Sequence, residues 1–190
     1  NHQNFFAPGA AYQSGHVCTL LRNPHIARNE EMQLYPLEDS KNLRDQYLGH
    51  LTDVVMVGYT SLAAERLGGA DYDGDMIKTI SDPILNECVK RNIHHDPPRS
   101  RSVFSRSHNL PLLMIPTVQP QIRSADDWEA RFETVRSTFS SRVGQICNAA
   151  LDRSIIAYNE NSDATERERC REETETLAIL TGLEIDSAKS

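Results

Sequence analysis

Gly68-Gly69-Ala70-Asp71-Tyr72-Asp73-Gly74-Asp75 is the most informative stretch of this sequence, because it places three aspartates at alternate positions. Like charges this close repel one another, and burying them without partners costs several kcal/mol or raises their pKa values. A hard divalent cation relieves the repulsion, and carboxylates with water are ligands that suit Mg²⁺. Because protein-bound Mg²⁺ normally also contacts substrate phosphates, the stretch predicts phosphoryl or nucleotidyl transfer.

The glycines of this stretch let the backbone turn tightly and approach a ligand. A solvated acidic turn is the alternative, since Asp and Gly are ordinary turn residues. The full Asp-x-Asp-Gly-Asp spacing, downstream of an apolar strand-like run, favours the metal loop. An EF-hand calcium loop is excluded, because the positions that need Gly and Glu hold Met76 and Asp82. Phosphatases of the haloacid dehalogenase type have Thr where this sequence has Asp75, so that resemblance is weak.

The motif Asp71-Tyr72-Asp73-Gly74-Asp75 resembles the metal-binding signature of RNA polymerases built from two double-psi β-barrels. This group includes multisubunit transcription enzymes, single-chain phage-type enzymes and the cell-encoded RNA-dependent RNA polymerases of RNA silencing. Two further motifs follow the order of the family. Leu21-Arg22-Asn23-Pro24-His25 resembles its Arg-Asn-Pro element, and Glu184-Ile185-Asp186-Ser187-Ala188-Lys189 is similar to the Val-Asp-x-x-Lys element of the silencing-type and single-chain enzymes. The resemblance spans roughly residues 15–190.

The resemblance implies specific roles for six residues. The carboxylates that would hold Mg²⁺, with Mn²⁺ as the alternative, are Asp71, Asp73 and Asp75. The residues that would contact the ribose of the incoming nucleotide are Arg22 and Asn23, and Lys189 would lie beside the nucleic-acid path. A second Mg²⁺ would arrive with the triphosphate and stabilise the leaving pyrophosphate. The implied partners are nucleoside triphosphates, the RNA product, an RNA or DNA template and the remaining polymerase domains.

The order of predicted elements gives an α+β fold class. Residues 1–95 are rich in short strands, which favours a compact barrel. The resemblance implies that this part is a double-psi β-barrel that bears the Asp-x-Asp-Gly-Asp loop. Residues 96–123 form a basic, proline-containing connector, and residues 124–190 form a helical region. The strands are too few for the second barrel of the family. The chain is therefore expected to be a catalytic-domain fragment that does not polymerise efficiently by itself.

Strands are predicted at residues 16–21, 32–35, 51–57 and 76–80, with a helix over residues 81–92. That helix is capped by Ser81 or Asp82, and its predicted apolar face consists of Ile84, Leu85, Cys88 and Val89. From Ser124, apolar residues at spacings of three and four predict a helical core stripe. The stripe consists of Trp128, Phe132, Val135, Phe139, Val143 and Ile146. Ser124 with Asp127 resembles a capping box, and Gly182 is the predicted end of the last helix.

Composition limits the remaining function classes. Apolar residues make up 38% and charged residues 25%, which is typical of a soluble globular protein. The net charge of −7 argues against a protein that coats nucleic acid in general. Four scattered cysteines without a Cys-x-x-Cys pair indicate reduced thiols. The reduced thiols predict a cytoplasmic protein, and no membrane-length apolar run or basic-then-apolar signal peptide is present in the sequence.

Two other segments carry alternatives. His94 and His95 are adjacent, but no third ligand has suitable spacing, so surface histidines are favoured over a metal pair. The basic stretch 99–108 either contacts nucleic-acid phosphates or is a solvated loop. For the whole chain, the alternatives to an RNA polymerase are a metal-dependent phosphohydrolase and a non-catalytic scaffold domain that retains the aspartate loop.

Overall fold

The computed structural model describes residues 4–7, 15–37, 42–58, 61–72, 74–91, 112–117, 119, 122 and 124–187. Asp73, Lys189, both adjacent histidines and the basic stretch 99–108 lie outside these ranges, so the expectations for them stay predictions. The chain divides into two compact units. The first comprises residues 1–23 and 28–112, and the second comprises residues 24–27 and 113–190. The first unit contains the strands and the second contains long helices, which confirms the α+β class.

The described part of the first unit contains five strands and three short helices. They are β1 Asn4–Phe6, β2 Cys18–Arg22, β3 Met32–Pro36, α1 Leu43–Leu48, β4 Met56–Val57, α2 Ala63–Arg66, β5 Ile77–Ile80 and α3 Pro83–Lys90. The strands form a sheet in the order β4-β1-β3-β2-β5. β1 runs parallel to β3, and the other neighbouring strands are antiparallel.

One face of this sheet packs against an apolar core, and the opposite face makes polar contacts. Cys18 and Leu20 on β2 pair with Leu34 and Met32 on β3, and all four side chains are buried in the hydrophobic core. Phe5, Ala63 and Leu67 complete that core. Because side chains alternate along a strand, Thr19 and Gln33 lie on the opposite face of the sheet. That opposite face receives α3.

Three of the four predicted strands are confirmed, and the fourth is wrong over most of its length. The predicted strand 51–57 is extended and paired only at Met56–Val57. Asp53 has φ of 55°, in the left-handed region, and this conformation interrupts the extended backbone. Of the apolar residues that suggested a strand, Val55 and Val57 are partly buried against the hydrophobic core, whereas Val54 is exposed.

The predicted start of α3 is confirmed, and of its predicted apolar face only Val89 is buried. Asp82 caps the helix, since its carboxylate accepts hydrogen bonds from the backbone N–H groups of Ile84 and Leu85. Both of these side chains are exposed, as is Cys88, whereas Asn86 and Val89 are buried. The helix therefore meets the sheet with a polar residue at the centre of its buried face.

Asn86 is the polar residue that holds α3 against the sheet. The hydroxyl of Thr19 donates to Asn86 Oδ1 at 2.7 Å, and Gln33 Nε2 donates to the Asn86 carbonyl oxygen at 2.7 Å. Asn86 Nδ2 in turn donates to the carbonyl oxygen of Val17 at 3.1 Å. Buried polar groups are tolerated when they are hydrogen-bonded, and here the pairing fixes the helix in one position. Apolar periodicity does not reveal such a contact.

The second unit contains α4 Trp128–Thr138, α5 Val143–Tyr158 and α6 Ala164–Ser187. The contact between α5 and α6 is built from small buried side chains, which are Ala150, Ala157, Cys170, Thr174, Ala178 and Thr181. Arg153 on α5 forms an ion pair with Glu173 on α6 at 2.8 Å. Among the helices of the described ranges, none has the length and apolar character needed to cross a membrane.

The predicted core stripe after Ser124 is wrong in its first half. Trp128, Phe132, Val135 and Phe139 are all exposed. The helix ends at Thr138 and a new one begins at Val143, so the residues on either side of the break do not share one continuous face. Asp127 alone caps α4, since its carboxylate accepts from the N–H of Ala130 at 3.0 Å.

Gly182 does not end α6, which continues to Ser187. A Cβ atom at this position would lie 2.8 Å from Cγ1 of Ile115 and closer still to Cδ1 of that side chain. Glycine is therefore required here for the approach of the segment 112–117 to the helix, and this contact explains why the residue sits inside a helix rather than at its end.

We expect Asn86→Ala to lower the free energy of unfolding by about 1–3 kcal/mol, because the Thr19 hydroxyl and the Val17 carbonyl oxygen would lose their side-chain partner. Cys88→Ala, at an exposed position of the same helix, is the control and should change stability by less than about 0.5 kcal/mol. Urea unfolding followed by far-UV circular dichroism measures both. Equal effects of the two substitutions would show that the network does not hold α3.

We expect Gly182→Ala to destabilise the chain by about 1–3 kcal/mol, because the added methyl group overpacks against Ile115. The matched control is Gly144→Ala in α5, where a Cβ atom meets nothing within 4 Å. That substitution should instead stabilise by about 0.5–1 kcal/mol. In an Ile115→Ala background the cost of Gly182→Ala should largely disappear. A cost that persists there would contradict the close approach.

Candidate active site at the aspartate loop

The aspartate loop leaves α2 through two glycines in the left-handed region. Gly68 and Gly69 both have φ of 68°, a conformation that other residues adopt at a cost. The backbone N–H of Ala70 donates to the carbonyl of Ala64 at 2.9 Å, which ties the start of the loop to the helix. The loop then passes through Asp71 and enters β5. The glycines in the motif therefore set the direction of the loop.

Arg22 connects the loop to the sheet. It is the last residue of β2 and pairs in register with Ile77, the first residue of β5. Its Nη2 donates to Asp75 Oδ1 at 3.2 Å, and its Nε lies 3.0 Å from Asp75 Oδ2. Its Nη1 also donates to the carbonyl oxygen of Gly68 at 3.3 Å. The pairing of β2 with β5 thus brings the guanidinium to both ends of the loop.

Asp75 closes the loop on itself. Its Oδ2 accepts the backbone N–H of Asp71 at 2.7 Å, in addition to the contacts with Arg22. Asp75 is 24% exposed and Asp71 is exposed. Their oxygens therefore fit a hard divalent cation.

Buried charge lies beneath the loop. A Cβ atom on Gly68 would lie 3.0 Å from Glu30 Oε1 and 3.7 Å from Arg22 Nη1, so glycine is needed for these side chains to approach the backbone. Glu30 is 7% exposed and Arg66 is 5% exposed. Burial lowers the pKa of Arg66, since desolvation disfavours its charged form. Sequence reasoning missed Glu30, because a glutamate in a turn between two strands carries no distinctive signal.

A cavity of about 900 Å³ adjoins the loop. Aliphatic side chains line much of it, among them those of Val54, Val55 and Val57 from the segment predicted as a strand. Asp71 and Asp75 also line it, and Asp53 adds a third carboxylate. The lining thus combines an apolar surface with acidic groups, which is typical of small-molecule sites.

The structure brings together Arg22, Asp71 and Asp75 of the six predicted site residues. Asn23 is exposed and, within the described part of the chain, is not among the residues that line the cavity. Asp73 lies outside the described residues, so the structure shows only two of the three predicted metal ligands. In the described ranges no group of three or more His, Cys, Asp or Glu side chains is arranged to hold a metal ion. The metal assignment therefore stays a prediction.

Comparison with known proteins decides the family. The model of the RNA-dependent RNA polymerase family matches residues 8–190. The chain belongs to the RNA-dependent RNA polymerase family. Among solved structures, the RNA-dependent RNA polymerase QDE-1 from Thielavia terrestris is similar, with a TM-score of 0.51 and 15% sequence identity. At this identity the likeness shows the fold alone. A comparison with curated proteins finds no match.

The match to QDE-1 covers 99% of this chain and 20% of the QDE-1 chain. The chain therefore spans about a fifth of the length of that polymerase. Family membership confirms the resemblance to this family that the motifs suggested.

We expect Gly68→Ala to destabilise the chain more than Gly15→Ala does. Both glycines have positive φ, so both substitutions carry a backbone cost of about 1–2 kcal/mol. Only at Gly68 does a Cβ atom also meet other side chains, since Gly15 has nothing within 4 Å. Thermal unfolding of the two variants measures the difference. Equal losses of stability would show that the approach of Glu30 and Arg22 to Gly68 is unimportant.

Proposed function

We propose that this chain is the metal-binding catalytic part of an RNA-dependent RNA polymerase. The reaction is transfer of a nucleotidyl group from a nucleoside triphosphate to the 3′ end of a growing RNA. The observation that carries the proposal is the arrangement of Asp71, Asp75 and Arg22 beside a cavity of about 900 Å³, in a chain of this family. A non-catalytic scaffold would not need an acidic loop held by a partly buried arginine.

Asp71, Asp73 and Asp75 are the proposed Mg²⁺ ligands, with Mn²⁺ as the alternative ion. Mg²⁺ bound there would lower the pKa of the primer 3′-hydroxyl and position the α-phosphate of the nucleotide. The contribution of the chain is to hold the carboxylates in place before substrate arrives. Asp75 is fixed by Arg22, and the hydrogen bond from the Asp71 amide fixes the backbone beside the first ligand. Groups fixed in advance avoid the cost of reorganising when charge develops.

Arg22, Asn23 and Lys189 are the proposed contacts to the nucleotide and the nucleic acid. A guanidinium carries more N–H donors than the described contacts of Arg22 use, so it can also donate to a ribose hydroxyl. Asn23 follows it directly and is exposed. Lys189 is assigned only by the Val-Asp-x-x-Lys motif. The template is RNA in this proposal, in agreement with the family.

The proposed fold of the intact enzyme is a pair of double-psi β-barrels, one of which includes the sheet described above. In the described residues this sheet ends at β4 and β5, so further strands would be needed to close it. The partners are nucleoside triphosphates, template, RNA product and the remaining polymerase domains, and the location is the cytoplasm. We therefore expect the 190 residues alone to be inactive.

We expect Asp73→Asn to weaken Mn²⁺ or Mg²⁺ binding by roughly tenfold or more, about 1.4 kcal/mol, because one charged ligand is lost. Asp71→Asn should act in the same way. Asp152→Asn, an exposed position on α5, is the control for the change in net charge and should leave binding unaltered. Calorimetric titration with and without nucleotide measures the affinities.

This titration and two activity assays, phosphate release and primer extension, separate the competing functions. Metal binding that survives Asp73→Asn would contradict the proposed site. Metal-dependent release of phosphate from triphosphates, without primer extension when the chain is joined to the remaining polymerase domains, would favour a phosphohydrolase. Primer extension by the isolated 190 residues at the rate of the joined enzyme would contradict the expected dependence on a second barrel.

A further inference from the structure

We propose that Arg22 is a positioning residue that holds the aspartate loop closed through Asp75. The inference rests on the proposed function, since it concerns how the proposed metal ligands are arranged. It adds a role that the motif resemblance does not give, because that resemblance places Arg22 at the ribose of the nucleotide. The described contacts of the guanidinium are instead made to the loop itself.

The contacts form a continuous path across the loop. The guanidinium of Arg22 contacts both carboxylate oxygens of Asp75, at 3.2 Å and 3.0 Å, and donates to the carbonyl oxygen of Gly68 at 3.3 Å. Gly68 lies where the chain enters the loop, and Asp75 lies where it leaves. Asp75 then accepts the N–H of Asp71 at 2.7 Å. One side chain therefore joins the entry and the exit of the loop, and its partner fixes the backbone of the first aspartate.

The anchor of this path is rigid. Arg22 belongs to a strand that pairs with β5 over four residue pairs, and Ile77 of β5 follows Asp75 after a single residue. The side chain of Arg22 is 13% exposed, so its ion pair is partly screened from water. A two-point contact between an arginine and a carboxylate has a defined geometry that a lysine cannot reproduce. Arg22 therefore sets the orientation of the Asp75 carboxylate as well as its charge.

The positioning role has an electrostatic consequence. Three carboxylates at alternate positions repel, and a fixed positive charge beside one of them reduces the repulsion. The contacts of the guanidinium with both oxygens also fix the orientation of the Asp75 carboxylate. A residue that only contacted ribose would leave the loop unchanged when it is replaced. A residue that positions the loop would alter the loop even in the absence of nucleotide.

Hydrogen exchange of the Asp71 amide provides a test that needs neither metal nor activity. In the full 190-residue chain we expect Arg22→Lys to increase this exchange rate by about tenfold or more, since the Asp75 acceptor is no longer fixed. Asp75→Asn should have a similar effect, and the double variant should add little to either single change. Arg91→Lys, at an exposed position after α3, is the matched control and should leave the loop unchanged.

Titrations with Mn²⁺ alone and with a fluorescent nucleoside triphosphate alone complete the test. We expect Arg22→Lys to weaken Mn²⁺ binding in the absence of nucleotide by about tenfold, about 1.4 kcal/mol. Weaker nucleotide binding with unchanged exchange and unchanged Mn²⁺ affinity would overturn the inference in favour of a ribose contact. Faster exchange in a chain whose wild type binds no Mn²⁺ would support the positioning role and overturn the proposed metal site.

Discussion

The ion pair between Arg22 and Asp75 is the interaction on which the arrangement of the site depends. It joins the end of one strand to a loop that is rich in carboxylates. Without this positive charge, the repulsion between those carboxylates would be stronger. The pair is possible because β2 and β5 are neighbours in the sheet, and that pairing in turn rests on the core around Leu20 and Leu34. Hydrophobic burial thus fixes the strands, and the strands fix the position of the charge. Family membership gives this arrangement its enzymatic context.

Much of the first unit is predictable because its local signals agree with its final packing. Short β-prone runs gave three strands close to their observed bounds, and an aspartate before a proline gave the start of α3. Prediction failed where a distant contact overrides the local pattern. Asp53 takes a left-handed conformation that breaks an apolar run, and Asn86 is buried because Thr19 and Gln33 lie opposite it. Spacing along the chain reveals neither the conformation of Asp53 nor the partners of Asn86.

The candidate site likewise has features that the sequence predicts and features that arise only from tertiary packing. Its acidic residues and Arg22 are recognisable because unusual chemistry is concentrated in short motifs. The close approach of Glu30 to Gly68 is not recognisable from the sequence, because a contact between residues far apart in the chain produces no periodic pattern. The cavity beside the loop is also a product of tertiary packing, since its lining comes from several elements. Asp73 and Lys189 were assigned from motifs alone, and those assignments stay predictions.

The exposed face of α4 determines what the intrinsic fluorescence of this chain reports. The sequence has one tryptophan, and Trp128 is 72% exposed on that helix. Its emission is therefore set by contact with water in the second unit. A shift of that emission to shorter wavelength would register burial of the α4 face, so the residue serves as a built-in probe of whatever covers this helix.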